Sequence, residues 1–446
     1  MLLNFNDIIL GPLFFIAIVL FGLIAWKIWY QKVISIYIYV VALGIKLFSS
    51  IMYGLVYQFY YTNGGDTGEY FTGAKFLSNF IAEKPLHQIW KYILSGNLKN
   101  EVALKLSYIP NYHLFDISTS YLMIKLTALI NLLTFTTYLP TAMLMAFFCF
   151  TGLMALYKQI VQYYKTGNWL LLVTFFFIPT VTFWAAGVMK DTITLGALCW
   201  LAVALIKITR IQNIVLWLII ALMMAYVIII LKSYIFLAFI PASILYIIIY
   251  WHKNLPTLPI KLLYTFLLFS LIITTTYYIY TFKLKWLNDI LISKLISQAE
   301  GFQTWHSYVA ENEGASGYTL GTVEFTIAGI LKKVPASINV ALFRPYFWEA
   351  NNPLMLLNAA EGLLTILLSL FVLVKVGFIR FFKRCFNDPL VIFFISYALI
   401  FLFAVGFTSY NFGALVRYKI PGFLFYYVAL SLLLLKQTNK LQDSTT

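Results

Sequence analysis

Apolar residues occur along the whole chain in runs close to 20 residues long, separated by short polar segments. A helix needs about 20 such residues to cross a hydrocarbon core about 30 Å thick. The pattern predicts about eleven transmembrane helices, at 9–29, 33–60, 139–157, 169–187, 191–207, 213–231, 234–251, 262–281, 354–375, 390–408 and 418–435. The first run lacks a basic leader and a small-residue cleavage site, so we interpret it as a retained span.

A further apolar stretch, 118–137, carries Lys125, Asn131 and several threonines, which favours a re-entrant or interfacial helix. Cytoplasmic loops are enriched in Lys and Arg. Six groups of basic residues all lie on the cytoplasmic side only if 118–137 does not cross the membrane. This orientation places the N-terminus and the polar segments 61–117 and 282–353 outside. The six groups are Lys27 and Lys32; Lys158 and Lys165; Lys207 and Arg210; Lys253 and Lys261; Lys375, Arg380, Lys383 and Arg384; Lys436 and Lys440.

Composition supports the same class. Hydrophobic residues make up 62% of the 446 residues and charged residues 11%, against about 25% charged in soluble domains. We therefore expect an all-α polytopic membrane protein, with 1–446 as a single transmembrane domain in the lipid bilayer. The net charge of +15 is largely explained by cytoplasmic loops, so no nucleic acid partner is indicated. Three cysteines show neither metal spacing nor a disulfide framework.

The most unusual polar stretch is Asn63 to Phe71, which contains two glycines, Asp66 and Glu69. Residues three apart are neighbours on a helix, so both acids would face the same way. One interpretation is a capping box. The other is a general base at the outer membrane edge, since a carboxylate can take the proton of an attacking hydroxyl. Tyr70 and neighbouring apolar residues predict an amphipathic helix lying on the membrane.

Two short outer turns carry charges between apolar runs. In the first, Asp191 either caps the following helix or supports a site, and Lys190 either snorkels to the membrane edge or binds phosphate. In the second, Lys232 opposes the usual charge bias of outer loops. We predict that both lysines bind phosphate.

Two later outer segments combine cations with aromatic residues. Arg344 precedes a run that includes Trp348 and Glu349, and the guanidinium fork suits phosphate. Asn411 opens a turn that ends in Arg417 and Lys419, basic residues that the positive-inside pattern does not explain. We predict phosphate binding by Arg344, Arg417 and Lys419. Trp348, Glu349 and Asn411 are predicted to support the site. Glu361 lies deep in an apolar run, where an acid indicates a functional site unless a cation pairs with it.

These motifs occur together in a fixed order: "GGD…EYF", "P…FWAAGVMKD", "RPYFWEANNP…E" and "NFGALVRYKIP". The set resembles bacterial polytopic proteins of surface-polysaccharide assembly, which include GT-C-type glycosyltransferases and the O-antigen polymerase group. The resemblance implies a GT-C-like fold with extracytoplasmic loop helices, matching 69–96 here, in the bacterial inner membrane. It also implies an inverting transferase that uses a polyprenyl-phosphate-linked sugar, with Asp66 as base and Glu69 as second choice. The acid follows the second span here, not the first as in the family.

Three hypotheses follow. The first is a glycosyltransferase that acts on polyprenyl-phosphate-linked sugars at the extracytoplasmic face. The second is a polysaccharide polymerase or ligase, in which outer Arg and Lys residues bind a lipid pyrophosphate. The third is a transporter or flippase of lipid-linked glycans, which usually shows internal repeats and broken helices; we find no repeat. The cofactor stays unassigned: the acid pair is compatible with Mg²⁺ or Mn²⁺, but two carboxylates alone do not indicate a metal.

Overall fold

A computed structural model describes residues 2–61, 65–83, 118–167, 169–281 and 317–435, together with single residues between 297 and 308. Within these ranges the backbone is helical apart from connecting segments and one β-bridge between Gly317 and Asn411. The described chain is therefore all-α, as predicted. The predictions that concern 84–117 and most of 282–316 lie outside the described residues.

The described residues form two compact units, one that ends at Phe236 and one that begins at Leu237. The helices of unit 1 are α1 (Phe5–Ala25), α2 (Ile36–Phe59), α3 (Gly65–Ala82), α4 (Ser118–Leu133), α5 (Tyr138–Tyr164), α6 (Trp169–Phe176), α7 (Pro179–Trp184), α8 (Lys190–Thr209) and the first part of α9 (Ile214–Asn254). Those of unit 2 are the rest of α9, α10 (Leu258–Thr281), α11 (Ile327–Lys332), α12 (Val334–Phe343), α13 (Pro353–Val376), α14 (Phe378–Asn387), α15 (Pro389–Thr408), α16 (Phe412–Tyr418) and α17 (Ile420–Leu434).

Seven helices of the described chain are long and apolar enough to cross a membrane: Phe5–Tyr30, Ile36–Phe59, Tyr138–Tyr164, Lys190–Thr209, Ile214–Asn254, Pro353–Val376 and Pro389–Thr408. The predicted spans 213–231 and 234–251 are both contained in the 41-residue helix α9. Its backbone is non-helical at Lys232, with φ −152° and ψ 77°. The helical segments on the two sides of this break are about 27 and 33 Å long at 1.5 Å per residue. The boundary predicted between the two spans is therefore at the right position, but it is a break within one helix.

Two predicted spans are shorter than expected. Segment 169–187 divides into α6, of 8 residues, and α7, of 6 residues, because Pro179 begins a new helix and has no N–H to continue the first. The last predicted span, 418–435, contains only the 15-residue α17. Residues Ile420–Leu433 are all buried, as expected for a helix that is apolar all round and packs inside its unit.

Close glycine contacts set the packing of unit 1. A Cβ atom added to Gly152 of α5 would lie 2.5 Å from the carbonyl oxygen of Gly196 in α8. Small residues allow membrane helices to approach in this way. Thr151 and Trp200, which are hydrogen-bonded at 3.2 Å, lie beside this contact. The two helices therefore have a fixed register, with Lys190 at the start of α8.

The short apolar helix α12 of unit 2 lies between the longer helices α13 and α15. An added Cβ at Gly362 of α13 would lie 2.5 Å from the carbonyl oxygen of Phe343, at the end of α12. Gly406 of α15 makes a similar approach to the carbonyl of Ser337 in α12. Hydroxyl contacts of Thr365 with Tyr427, at 2.7 Å, join α13 to α17. This packing fixes the end of α12, where Arg344 follows.

Candidate functional site

The start of α8 carries a buried ion pair. The ammonium of Lys232 lies 2.5 Å from the Asp191 carboxylate, and the two side chains are 9% and 4% exposed. The sequence suggested that Asp191 caps a helix, but the N-cap is Met189 and Asp191 lies inside the first turn. Lys232 occupies the non-helical position of α9. A buried charge requires a partner, and this pair joins the start of one helix to the break in another.

Lys190 points into the protein. Its ammonium donates hydrogen bonds to the hydroxyls of Thr119, at 3.0 Å, and Ser120, at 3.2 Å, and lies 5.3 Å from the centre of the Tyr70 ring. The side chain is held by α3 and α4 at a half-buried position, and snorkelling stays one interpretation of it. Its predicted role in phosphate binding stays a prediction.

The acid pair lies at the start of α3, with Asp66 in its first turn and Glu69 just after it. The helix begins at Gly65, whose φ of +50° and close approach to Tyr57 exclude a side chain; an added Cβ would lie 2.8 Å from that ring. Asp66 and Glu69 are half-buried. Asp66 lies within the helix and not at the N-cap, so it cannot be the first residue of a capping box. Asp66 and Tyr70 are four residues apart and share one face.

The predicted surface helix is packed into unit 1. Tyr70, Phe71, Ala74 and Leu77 of α3 are buried. The Thr67 hydroxyl lies 2.9 Å from that of Tyr138, at the start of α5. The apolar face predicted to lie on the membrane is therefore covered by protein instead.

The starts of α3, α4, α5 and α8 thus meet through side-chain contacts. Helix N-termini carry partial positive charge and exposed N–H groups, and they bind phosphate readily. Lys190 adds a full positive charge among them, and the acids of α3 lie within one turn of Tyr70, which Lys190 contacts. The arrangement combines an anion-binding environment with carboxylates that can accept a proton.

The cation predicted at Arg344 is engaged by an acid. Its guanidinium holds the Glu349 carboxylate through two hydrogen bonds, one of them from Nε at 3.0 Å. The Tyr346 amide donates to the same carboxylate at 2.8 Å. Burial raises the pKa of Glu349, but the hydrogen bonds from Arg344 and Tyr346 and the positive charge outweigh it, so the pKa is lowered. Trp348 is exposed and stacks on Tyr346 at 4.9 Å.

The turn around Asn411 has a structural explanation. The Asn411 side chain accepts hydrogen bonds from the amides of Gly413, at 2.7 Å, and Ala414, at 3.4 Å. It therefore caps α16, as short polar side chains do at helix starts. Arg417 lies half-buried in the last turn of that helix, where a cation is favoured by the dipole. Binding of phosphate by Arg417 stays a prediction.

Lys419 is not at an open surface. The side chain is completely buried, and its ammonium lies 4.5 Å from the Phe423 ring. Within the described residues it has no hydrogen-bond partner, and it interacts electrostatically with the buried Glu361. The sequence placed Lys419 in an outer turn, but the buried helix α17 begins at the next residue. The nearby Lys419 ammonium accounts for the acid Glu361 in its apolar run, because a cation can balance an acid at that depth.

Sequence reasoning found most of these residues but missed how they pair. Asp191 and Lys232 are 41 residues apart, and opposite charges at the edges of two apolar runs were the available signal. Thr119 and Ser120 gave no signal of their own. The described residues contain no group of three or more metal-binding side chains.

The chain matches no protein family model, no curated protein and no solved structure.

Proposed function

We propose that the chain is a glycosyltransferase that acts on polyprenyl-phosphate-linked sugars at the extracytoplasmic face of the membrane. The observation that carries the proposal is the position of Lys190, which is held by the hydroxyls of Thr119 and Ser120 and lies against Tyr70, one turn from Asp66. A cation for the leaving phosphate and an acid for the attacking hydroxyl are thus on neighbouring helices.

The reaction assigns one role to each group. The Asp66 carboxylate accepts the proton of the acceptor hydroxyl, whose oxygen then attacks the anomeric carbon of the sugar. The bond between that carbon and the phosphate oxygen breaks, and the lipid phosphate leaves with the electron pair. Lys190 and the neighbouring helix starts stabilise the negative charge that develops on it. Glu69 is the second candidate for the base.

The ion pair behind this cluster positions it. Asp191 follows Lys190 directly and is fixed by Lys232, so the start of α8 is held to α9. The Lys190 side chain, held in this way, needs little rearrangement during the reaction. Electrostatic stabilisation is most effective under this condition. Lys232 thereby acts through Asp191, in addition to any direct contact with phosphate.

The test is glycan transfer by the purified full-length protein in liposomes, with synthetic polyprenyl-monophosphate and polyprenyl-pyrophosphate sugars as donors. Asp66→Asn is expected to lower the rate about 10²–10⁴-fold with unchanged insertion and thermal stability. Glu83→Gln is the matched control, since Glu83 is an exposed acid just beyond the end of the same helix, and it should transfer normally. Undiminished transfer by Asp66→Asn would remove Asp66 as base.

A transporter of lipid-linked glycans is the second candidate, and the break of α9 at Lys232 favours it, because discontinuous helices line many transport sites. The same liposomes separate the two functions. Movement of the lipid-linked sugar across the bilayer without a new glycosidic bond supports transport, and bond formation supports the transferase. A polymerase or ligase would instead prefer the pyrophosphate donor and depend most on Arg417.

A further inference from the structure

A second feature of unit 1 lies at the other end of α5 and α8. A cavity of about 550 Å³ opens there, and Lys158 and Lys207 both line it. Lys207 follows Lys190 by 17 residues in the same helix, which corresponds to about 26 Å at 1.5 Å per residue. The cavity is therefore separate from the candidate transfer site.

About half of the residues that line this cavity are aromatic. Phe21 of α1 meets Phe147 of α5 edge-on at 5.9 Å, and Tyr39 meets Phe150 in the same way at 5.4 Å. Phe21 also lines the cavity and is 58% exposed. On a membrane-spanning helix an exposed apolar side chain faces lipid. The cavity thus opens sideways towards hydrocarbon, and its walls suit an alkyl or prenyl chain.

The polar part of the cavity contains two lysines beside neutral side chains. The ammonium of Lys207 is hydrogen-bonded to the Gln212 side chain at 2.8 Å, and that of Lys158 lies 5.6 Å from the Tyr30 ring. The guanidinium of Arg210 lies near Lys207 and 4.5 Å from the Tyr163 ring. Three positive groups, those of Lys158, Lys207 and Arg210, therefore lie near one another at this end of the helices.

The segments that supply the lining of the cavity contain no acid. Segments 8–65, 117–190 and 192–236 contain no Asp or Glu, and these segments supply the helices around the cavity. The acid between them, Asp191, is at the opposite end of α8 and pairs with Lys232. Like charges that are close together repel, so an anion from outside the chain would stabilise the cluster. Basic pockets between membrane helices bind lipid head groups in this way.

We propose that this cavity binds the phosphate of a membrane lipid, with Lys158 and Lys207 holding the phosphate and a hydrocarbon chain along the aromatic wall. The site is independent of the proposed transfer reaction, because it shares no residue with the cluster around Lys190. By the orientation predicted from the basic loops, it takes its lipid from the cytoplasmic leaflet.

Calorimetric titration of the purified full-length protein in non-ionic detergent tests this. The probes are dioctanoyl phosphatidylglycerol, farnesyl phosphate and, without phosphate, dioctanoylglycerol. We expect at least one phosphate lipid to bind more tightly than dioctanoylglycerol, and the double variant Lys158→Gln/Lys207→Gln to lose about 30-fold in affinity for it. Preference for phosphatidylglycerol would identify a glycerophospholipid, and preference for farnesyl phosphate an isoprenoid phosphate.

The matched control is Lys27→Gln/Lys32→Gln, which removes the same charge from two exposed positions that do not line the cavity; it should bind normally. Lys190→Gln should also leave this binding intact, which separates the site from the transfer site. Ala155→Leu narrows the cavity without a change in charge and should also weaken binding. It is the alternative test if the glutamine variant does not fold. The proposal is overturned if dioctanoylglycerol binds equally well, or if neither cavity variant alters affinity.

Discussion

Each unit contains an ion pair of a lysine or arginine with an acid, but the two pairs differ in reach and burial. Asp191 and Lys232 join residues 41 positions apart and are 4% and 9% exposed. Arg344 and Glu349 are five positions apart and are 19% and 18% exposed. The first pair connects two helices, and the second closes a single turn. The first pair therefore holds distant segments of unit 1 together, and the second stabilises local backbone in unit 2.

The largest expected effect comes from breaking the long-range pair. Lys232→Met removes the ammonium that pairs with the buried Asp191 carboxylate and should lower the free energy of unfolding by about 3–5 kcal/mol. Arg344→Met removes the partner of a more exposed acid and should cost about 1 kcal/mol. The midpoint of unfolding in detergent measures both.

The double variant Asp191→Asn/Lys232→Met is the control for this comparison. It removes both charges, so it should recover most of the stability that Lys232→Met loses. Equal losses for Lys232→Met and Arg344→Met would contradict the difference between the two pairs.

The second prediction concerns the helix contact that fixes the register of α5 and α8. Gly152→Ala introduces a Cβ 2.5 Å from the Gly196 carbonyl oxygen and should lower the free energy of unfolding by about 1–3 kcal/mol. Gly44→Ala is the matched control, because nothing lies within 4 Å of its added Cβ, and it should be neutral or slightly stabilising. Equal effects in thermal unfolding would show that the contact does not set the packing.

The smallest expected effect is the pH dependence of the local pair. The pKa of Glu349 is lowered in the folded state from its ordinary value of 4.5. The folded protein therefore holds this carboxylate ionised more strongly than the unfolded chain does. The stabilisation is fully present above the unfolded pKa and is lost as the pH falls through the folded one.

Melting temperatures of the native protein and Glu349→Gln should consequently differ at neutral pH and converge in acid. Glu324→Gln, at an exposed acid of the same unit, controls for general charge effects and should show no such convergence. A difference that persists unchanged in acid would mean that ionised Glu349 does not provide the stabilisation.

The sequence predicted the helical class and a boundary near Lys232, because apolar run length and an isolated charge are local signals. It overestimated the spans at 169–187 and 418–435. In the first, Pro179 interrupts the helix; in the second, α17 is apolar because it is buried in protein. Composition alone does not show whether an apolar helix faces lipid or is buried within the protein.

The candidate site residues were also found from local signals, but the sequence did not show which partners they contact. Lys190, Asp191 and Lys232 stand out as charges among apolar residues, but their partners depend on tertiary contacts. Lys419 was expected in an open turn and is buried, since the sequence does not show which side of a short turn packs inward. Gly65 was recognisable as a tight turn, while its contact with Tyr57 was not.

The central claim is that the acid of α3 carries the chemistry, and the cations of unit 2 contribute less. The most direct measurement is the ratio of kcat/KM values for Asp66→Asn and Arg417→Ala in the liposome transfer assay. We predict that Asp66→Asn loses about 10²–10⁴-fold and Arg417→Ala at least tenfold less than that. A larger loss for Arg417→Ala than for Asp66→Asn would contradict the account and favour a polymerase or ligase.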